Sequence, residues 1–435
     1  MILNVSDAHI ACITLGCAKN EVDTAHMQQR LRACGFSLTD DPEHADAIII
    51  NTCSFIQSAT EESLEAIFEA AGYENVCAGA PLIVAGCMPA RYGDDLSGEL
   101  IEACAFVPCS KEDDIAEVVA HALGIELPAQ VAFADNLVSD EPTGVYSYVK
   151  ISDGCDRFCS YCTIPYIRGR YHSFTYESIK DEVAELTSRG TKEIVLIAQD
   201  TGRWGTDFEP SLSLAWLIDQ LAQQFSQTWF RVMYIQPEGI TDELLEVVQK
   251  HENVCSYFDI PLQHVEPVLL KAMNRRGSYD EFADLVSHIK ETVRDVTLRT
   301  TLIAGFPGET DEQFERLCSF VEEGLFDYVG VFAYSREEGT RAYNLPDQVD
   351  EEEKAYRAQT LRDIADSVCS ALVSSRVDQT MDVLVEGFEE DGQLFGRAQC
   401  QAPEVDGVTY VDHGDVGEVI SVTIEDTLLY EMEGA

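Results

Sequence analysis

The sequence predicts an α/β protein in three parts: an N-terminal domain built on a parallel sheet, a central partial (β/α)6 barrel of TIM-like form, and a small antiparallel β-barrel at the C-terminus. Three observations predict it. The first third alternates apolar strand-like runs with helical segments, the pattern of a parallel sheet with covering helices. The middle repeats that rhythm in six units, which fits a barrel whose active site lies at the C-terminal ends of its strands. Beyond a charged helix near residue 375 the chain turns to short alternating strands broken by Gly and Asp, the pattern of a small barrel.

The elements follow in order. Strands are expected at 10–15, 47–51 and 82–85, with helices at 21–34 and 59–71 between them and Gly35 as a helix C-cap. Residues 126–143 carry Pro128 and Pro142 and little periodicity, so they read as a linker between an N-terminal domain (1–125) and a central domain (144–372). Barrel strands are expected at 147–151, 193–198, 230–235, 256–260, 297–303 and 328–334, and helices at 178–189 and 312–323. A charged helix starts at Glu351. The last domain (373–435) has strands at 382–387, 394–399, 409–411 and 417–424.

Composition narrows the function. The chain has 435 residues, 46% hydrophobic and 25% charged, so it is globular and long enough for two or three cores. It has no apolar run of the length of a membrane span, and its N-terminus lacks a basic leader region, so a cytoplasmic protein with no membrane partner is expected. The net charge of -49 repels phosphate backbones and attracts basic partners, unless the acidity is proteome-wide. Fifteen cysteines, an odd number, argue for metal or redox chemistry rather than a disulfide framework.

Cys155, Cys159 and Cys162 form C-x3-C-x2-C directly after a predicted strand. Thiolates are soft ligands for iron–sulfur clusters or zinc. Three cysteines can hold three irons of a 4Fe–4S cube and leave the fourth open, whereas structural zinc is closed by a fourth ligand. His172 is the nearest histidine and lies at an unusual spacing for that role. Buried free thiols are the remaining alternative. With Tyr161 before the third cysteine, at the end of the first barrel strand, the motif resembles the radical S-adenosylmethionine (SAM) superfamily. That resemblance implies a cluster that binds SAM at its open iron and cleaves it reductively.

A second triplet is spread along the first third. Cys17 in Leu15-Gly16-Cys17, Cys53 in Asn51-Thr52-Cys53 and Cys87 in Ala85-Gly86-Cys87 each end a predicted parallel strand. Strand ends share one edge of such a sheet, where ligands bind. The alternative is three small core thiols. Together the triplets, with LGCAKNEVDT, NTCSFIQSATEES and GCMPARY around the first three cysteines, resemble the methylthiotransferases across nearly the whole chain. The resemblance implies two 4Fe–4S clusters of three cysteines each and a C-terminal TRAM barrel, OB-like in form. It also implies SAM as both radical source and methyl donor, and a methylthio group inserted at an unactivated C–H bond.

Three segments resemble the branch of that family that modifies the β-carbon of an aspartate in small-subunit ribosomal protein twelve. They are 257–264 (YFDIPLQH), 299–310 (RTTLIAGFPGET) and 331–340 (VFAYSREEGT). The implied partners are that protein, free or within its ribosomal subunit, and an electron donor such as flavodoxin or ferredoxin. Charge agrees: from Ala371 onward Arg376 and Arg397 face fifteen acids, a net of -13, where an RNA-gripping barrel would offer a basic face. A tRNA adenosine methylthiotransferase is the alternative, and a non-catalytic iron–sulfur carrier or ribosome assembly factor the second. Neither the sulfur source nor the oligomeric state is written in the sequence.

By resemblance, Gln199 and Asp200 end the second barrel strand near the methionine part of SAM; a polar strand end capping a helix is the bland reading. Arg299 is a carboxylate partner or a structural ion pair. Ile303 and Gly305, with Gly308, lie where adenosine would pass, or are turn and strand positions. Gln263 and His264 are placed near the pocket, His264 more often a structural residue. The other cysteines read as packing residues, with Cys104 and Cys109 the pair most open to another role. Two stretches depart from the family pattern, Tyr171-His172-Ser173-Phe174 and Ile235-Gln236-Pro237, and neither touches a proposed ligand.

Overall fold

The computed structural model describes residues 5–127 and 144–435, so the expected linker lies almost wholly outside the described residues. The chain divides into two compact units. Of the described residues, the first holds 5–127 together with 153–156 and 162–171, and the second holds 144–152, 157–161 and 172–435.

The first unit is a parallel sheet of β1 (His9–Thr14), β2 (Ser37–Thr39), β3 (Ala47–Thr52), β4 (Leu82–Gly86) and β5 (Ala105–Pro108), in the order β2-β1-β3-β4-β5. Every residue of β3 and β4 is buried, as central strands covered on both faces require. Alternation sorts them: Ile49 and Ile83 pack in one apolar layer with Met27 and Leu31, while Ile48, Ile50 and Val84 pack in the other with Ile67. Helix α1 (Ala18–Ala33) is followed by Gly35 at φ +95°, the left-handed residue that ends it. The edge strands β2 and β5 were absent from the sequence reading. The register aligns Thr14 with Asn51 and Asn51 with Ala85, so the ends of β1, β3 and β4 form one row.

The second unit carries β6 (Tyr146–Lys150), β7 (Glu193–Ile197), β8 (Trp229–Val232), β9 (Tyr257–Asp259), β10 (Thr297–Ala304) and β11 (Tyr328–Ala333). They form two parallel three-stranded sheets, β8-β7-β6 and β9-β10-β11. A bridge between Phe230 and Val254 and the Ile235 N–H donating to Asp259 O at 2.9 Å join them into a partial barrel. Its interior and helical jacket share one apolar core.

The last strands, β12 (Thr380–Phe388), β13 (Leu394–Ala398), β14 (Thr409–Val411), β15 (Val419–Leu428) and β16 (Glu431–Gly434), close in the order β12-β13-β14-β16-β15. The sequence predicts an antiparallel barrel; β14 and β16 instead run parallel. A closed ring of five strands cannot alternate direction throughout, so one ladder must be parallel.

This small barrel is bound to the N-terminal ends of the large barrel's strands by buried charge. Glu193, at the start of β7, takes Arg231 at 2.7 Å and Arg397 at 2.6 Å, and Arg397 also pairs with Glu386. Arg376 pairs with Asp327 at 2.9 Å. Arg299 pairs with Asp259 at 3.0 Å and lies 3.7 Å from Asp406, the ion pairing that the sequence left open for it. Both cations of the acidic C-terminal stretch, Arg376 and Arg397, are thus buried.

Candidate functional site

Because the ends of β1, β3 and β4 are level, Cys17, Cys53 and Cys87 follow them into one neighbourhood. Cys17 caps α1, where the helix dipole favours anionic sulfur. Gly16 and Gly86 stand at φ +98° and +93°. A Cβ on Gly16 would lie 2.5 Å from the Cys53 Cβ, and one on Gly86 2.2 Å from Asn51 Oδ1. Gly16 is therefore needed for the chain at Cys17 to pass Cys53, and Gly86 for the end of β4 to pass Asn51 and Thr52. Burial raises the thiol of Cys53, and the charge of Cys17 adds to it; burial also raises Cys87, against the lowering effect of Arg168 and with Cys53 and Cys17 adding to the rise. Ligation must displace those protons, as for any thiolate site.

Polar side chains brace the triplet. Asn20 Nδ2 donates to Leu15 O at 2.8 Å and Thr52 O at 3.1 Å, and Asn51 Nδ2 donates to Asn20 O at 2.8 Å. Arg168 Nη2 reaches Asp23 Oδ2 at 2.8 Å and Asn20 Oδ1 at 2.9 Å, with Cys87 Sγ at 3.9 Å. Arg168 Nη1 holds Asp153 at 3.2 Å. Cys109 lies beside this group, its Sγ donating to Ile167 O at 3.4 Å and its pKa pushed up to about 11, chiefly by burial. The sequence gives no role to Asn20, Asp23 or Arg168: Asn20 and Asp23 share α1, but Arg168 joins them from a turn 145 residues further along the chain.

Cys155, Cys159 and Cys162 share one loop after β6. The loop is held by its backbone. The Cys155 N–H donates to Gly169 O at 3.2 Å and the Ser160 N–H to Met273 O at 2.9 Å. Asn274 Nδ2 reaches Arg157 O at 2.8 Å, and Arg341 Nη2 reaches Phe158 O at 2.8 Å. A Cβ on Gly154 would sit 2.2 Å from Arg170 O, so the turn into the motif requires glycine. Arg275 Nη1 stands 4.0 Å from Cys159 Sγ. His172 is exposed and packs edge-on against Phe174.

The C-terminal ends of the barrel strands carry buried polar atoms without a protein partner. They include both side-chain heteroatoms of Gln199, Asp200 Oδ1, Gln236 Oε1 and the Tyr334 hydroxyl. Such atoms are rarely left unmatched, and their position suits a polar ligand. The other Asp200 oxygen takes Arg157 Nε at 2.5 Å. Gln263, at φ +72°, continues the sheet: its N–H donates to Thr301 O and its carbonyl accepts from Ile303, at 2.8 and 2.7 Å. His264 Nδ1 accepts from the Val265 and Glu266 N–H groups at 2.9 and 3.0 Å, and burial lowers its pKa to about 3. Its Nε2 is buried without a hydrogen-bond partner, 3.9 Å from Glu309 Oε2. The Gly305 N–H donates to Glu309 Oε2 at 2.7 Å, and a Cβ there would meet Lys354 Cγ at 2.6 Å. Gly308 faces open space.

Among the described residues no three His, Cys, Asp or Glu side chains close around a single metal ion. Ligands to one zinc sit within about 2.3 Å of it. The donor set of each triplet, three soft thiolates, is the one that suits an iron–sulfur cluster.

The chain matches three family profiles: "Radical SAM superfamily" over residues 149–321, "Uncharacterized protein family UPF0004" over 9–107 and "TRAM domain" over 377–435. It is 41% identical to the ribosomal protein uS12 methylthiotransferase RimO of Natranaerobius thermophilus, covering 98% of both chains. It is 40% identical to the protein of the same name from Clostridioides difficile, again over 98% of each. The chain belongs to the RimO family of ribosomal protein uS12 methylthiotransferases. As a RimO-family member it is a radical SAM enzyme and a transferase of sulfur-containing groups. Among solved structures it resembles the radical SAM methyltransferase TsrM of Kitasatospora setae, with a TM-score of 0.58 at 14% identity over 77% of this chain and 74% of that one. At that identity the likeness speaks for the fold alone, and the RimO assignment rests on the sequence relatives.

Proposed function

We propose that this chain inserts a methylthio group at the β-carbon of an aspartate of ribosomal protein uS12, using two 4Fe–4S clusters and SAM. The carrying observation is the pair of three-cysteine sites, one gathered at level strand ends and one on the loop after β6. With three cysteines apiece, each cluster would keep one iron free of a protein ligand. When bound, the clusters and SAM supply a radical that abstracts hydrogen, a sulfur atom and a methyl group.

The chain's own residues bind, orient and enclose. Cys155, Cys159 and Cys162 hold the cluster that meets SAM; Cys17, Cys53 and Cys87 hold the second. Gln199 and Asp200, with Gln263, Ile303 and Gly305, line the SAM site, where the unmatched amide of Gln199 offers both a donor and an acceptor. Arg299 is instead engaged with Asp259 and Asp406. A buried barrel interior keeps water from the reacting centre.

Charge favours a basic protein substrate over tRNA. Between residues 377 and 435 Arg397 is the sole Lys or Arg, and it is buried. Grip on a phosphate backbone would need exposed cations there. The reading includes a cytoplasmic setting beside the ribosome; among the described residues no helix is long and apolar enough to cross a membrane.

The test separates the two sites. Cys159→Ala should abolish 5′-deoxyadenosine formation from SAM, while Cys53→Ala should keep it and lose methylthio insertion. Equal deoxyadenosine and equal product in both variants would overturn this division of roles.

A further inference from the structure

The chain has 29 Lys and Arg against 78 Asp and Glu, so cations are scarce and their grouping carries information. Around Cys159 they gather. Arg157, Arg275 and Arg276, with Glu238, Asn274 and Cys159 itself, line a surface pocket of roughly 300 Å³. Three guanidinium groups meet two carboxylates, Glu238 in the lining and Asp200 behind Arg157. Arg341 adds a fourth, exposed and bonded to the carbonyl of Phe158, the residue before Cys159. Arg157 is partly balanced by Asp200 at 2.5 Å and Glu238 at 3.1 Å, and Arg275 points inward to Pro261 O and Cys159 Sγ. Arg276 is exposed to solvent.

We propose that this arginine-lined pocket over Cys159 is the docking surface for an acidic one-electron carrier protein of the ferredoxin type. The inference rests on the assignment of Cys155, Cys159 and Cys162 to the SAM-cleaving cluster. A carrier of negative charge is repelled by most of a surface at -49. Screening cuts such repulsion off within about 8 Å at physiological salt, so a local basic patch decides where the carrier settles. Interfaces between redox proteins are small and depend on charge, which suits a pocket with a few arginines and no broad apolar rim. The chemistry is a single transfer. One electron leaves the reduced carrier, which returns to its oxidised form, and the 4Fe–4S group held by the three cysteines gains it. The Cys159 thiol lines the pocket, so a docked carrier is set against a ligand of that group.

The experiment reverses the exposed charge and reads binding and reduction separately. Binding of an oxidised acidic ferredoxin to the reconstituted protein is titrated over a range of NaCl. Deoxyadenosine formation is driven either by that ferredoxin in reduced form, below saturation, or by dithionite. Arg276→Glu is expected to weaken ferredoxin binding about tenfold or more and to slow ferredoxin-driven cleavage to match. Dithionite-driven cleavage should stay within about twofold of the parent, since Arg276 is a surface residue, and Arg276→Lys should restore most of the binding. Ferredoxin binding and ferredoxin-driven cleavage unchanged in Arg276→Glu would overturn the proposal. Binding of inorganic phosphate in the pocket with no ferredoxin binding would make it a small-anion site and overturn it as well. If the charge reversal weakens ferredoxin binding while dithionite yields no deoxyadenosine even in the parent, the docking surface stands and the cluster assignment falls.

Discussion

Replacing Arg168 with methionine tests how the N-terminal triplet is braced. Its guanidinium is 3% exposed and its partner Asp23 2%, at 2.8 Å. Burial alone would lower its pKa, but Asp23 and then Asp153 outweigh that and raise it. Methionine fills a similar volume and removes the charge, leaving Asp23 buried without this partner. Breaking a buried pair from one side costs about 3–5 kcal/mol. For a unit of this size that lowers Tm by roughly 10–20 °C. Calorimetry of the metal-free protein reads the shift. Arg168→Lys should recover part of it, because an ammonium cannot serve Asp23, Asn20 and Asp153 as a fork does. Asp23→Leu combined with Arg168→Met should be more stable than the sum of the single losses predicts. A Tm loss under about 3 °C for Arg168→Met, or strict additivity of the pair, would refute the argument.

Two further outcomes follow from the geometry. Gly86→Ala places a Cβ 2.2 Å from Asn51 Oδ1 at φ +93°, so it should cost roughly 2–4 kcal/mol in the first unit and halve iron loading, while Gly79→Ala, where space is open, should leave iron loading intact. Iron and sulfide analysis with urea denaturation would read both. His264 is held neutral with its pKa lowered to about 3 from an ordinary value near 6.5, so below pH 6.5 the unfolded chain binds a proton that the native chain refuses. Its contribution is therefore fully present above pH 6.5 and falls by up to about 1.4 kcal/mol per pH unit toward pH 3. His264→Asn keeps an acceptor for the two N–H groups and should flatten the slope of stability against pH between 5 and 6.5; an unchanged slope would contradict it.

How much of this was legible in the sequence depended on burial. The central strands β3 and β4 are apolar throughout and were placed within a residue. The edges β2 and β5, three and four residues long and half-buried, carry too little pattern to register. The four-residue β16 was missed for the same reason, and with it the parallel ladder that closes the small barrel. The cysteines were readable because each stands at a strand end. Their support was not: Arg168 meets Asp23 across 145 residues of chain. The helix Glu351–Ser374 reads only as charged, and the sequence does not show that Lys354 and Arg357 are buried, the latter against Glu309 at 3.2 Å. Arg299 shows the limit of residue type alone, since a guanidinium suited to a ligand carboxylate spends its charge on Asp259.

The most direct measurement of the central claim is a competition. Reconstituted protein, SAM, reductant and sulfide would be offered a uS12 loop peptide and bulk tRNA together without oxygen, and both products read by mass spectrometry. The account predicts a methylthio group on the peptide aspartate and none on tRNA. The same group on tRNA alone would contradict it and would show that the acidic C-terminal barrel does not select the substrate.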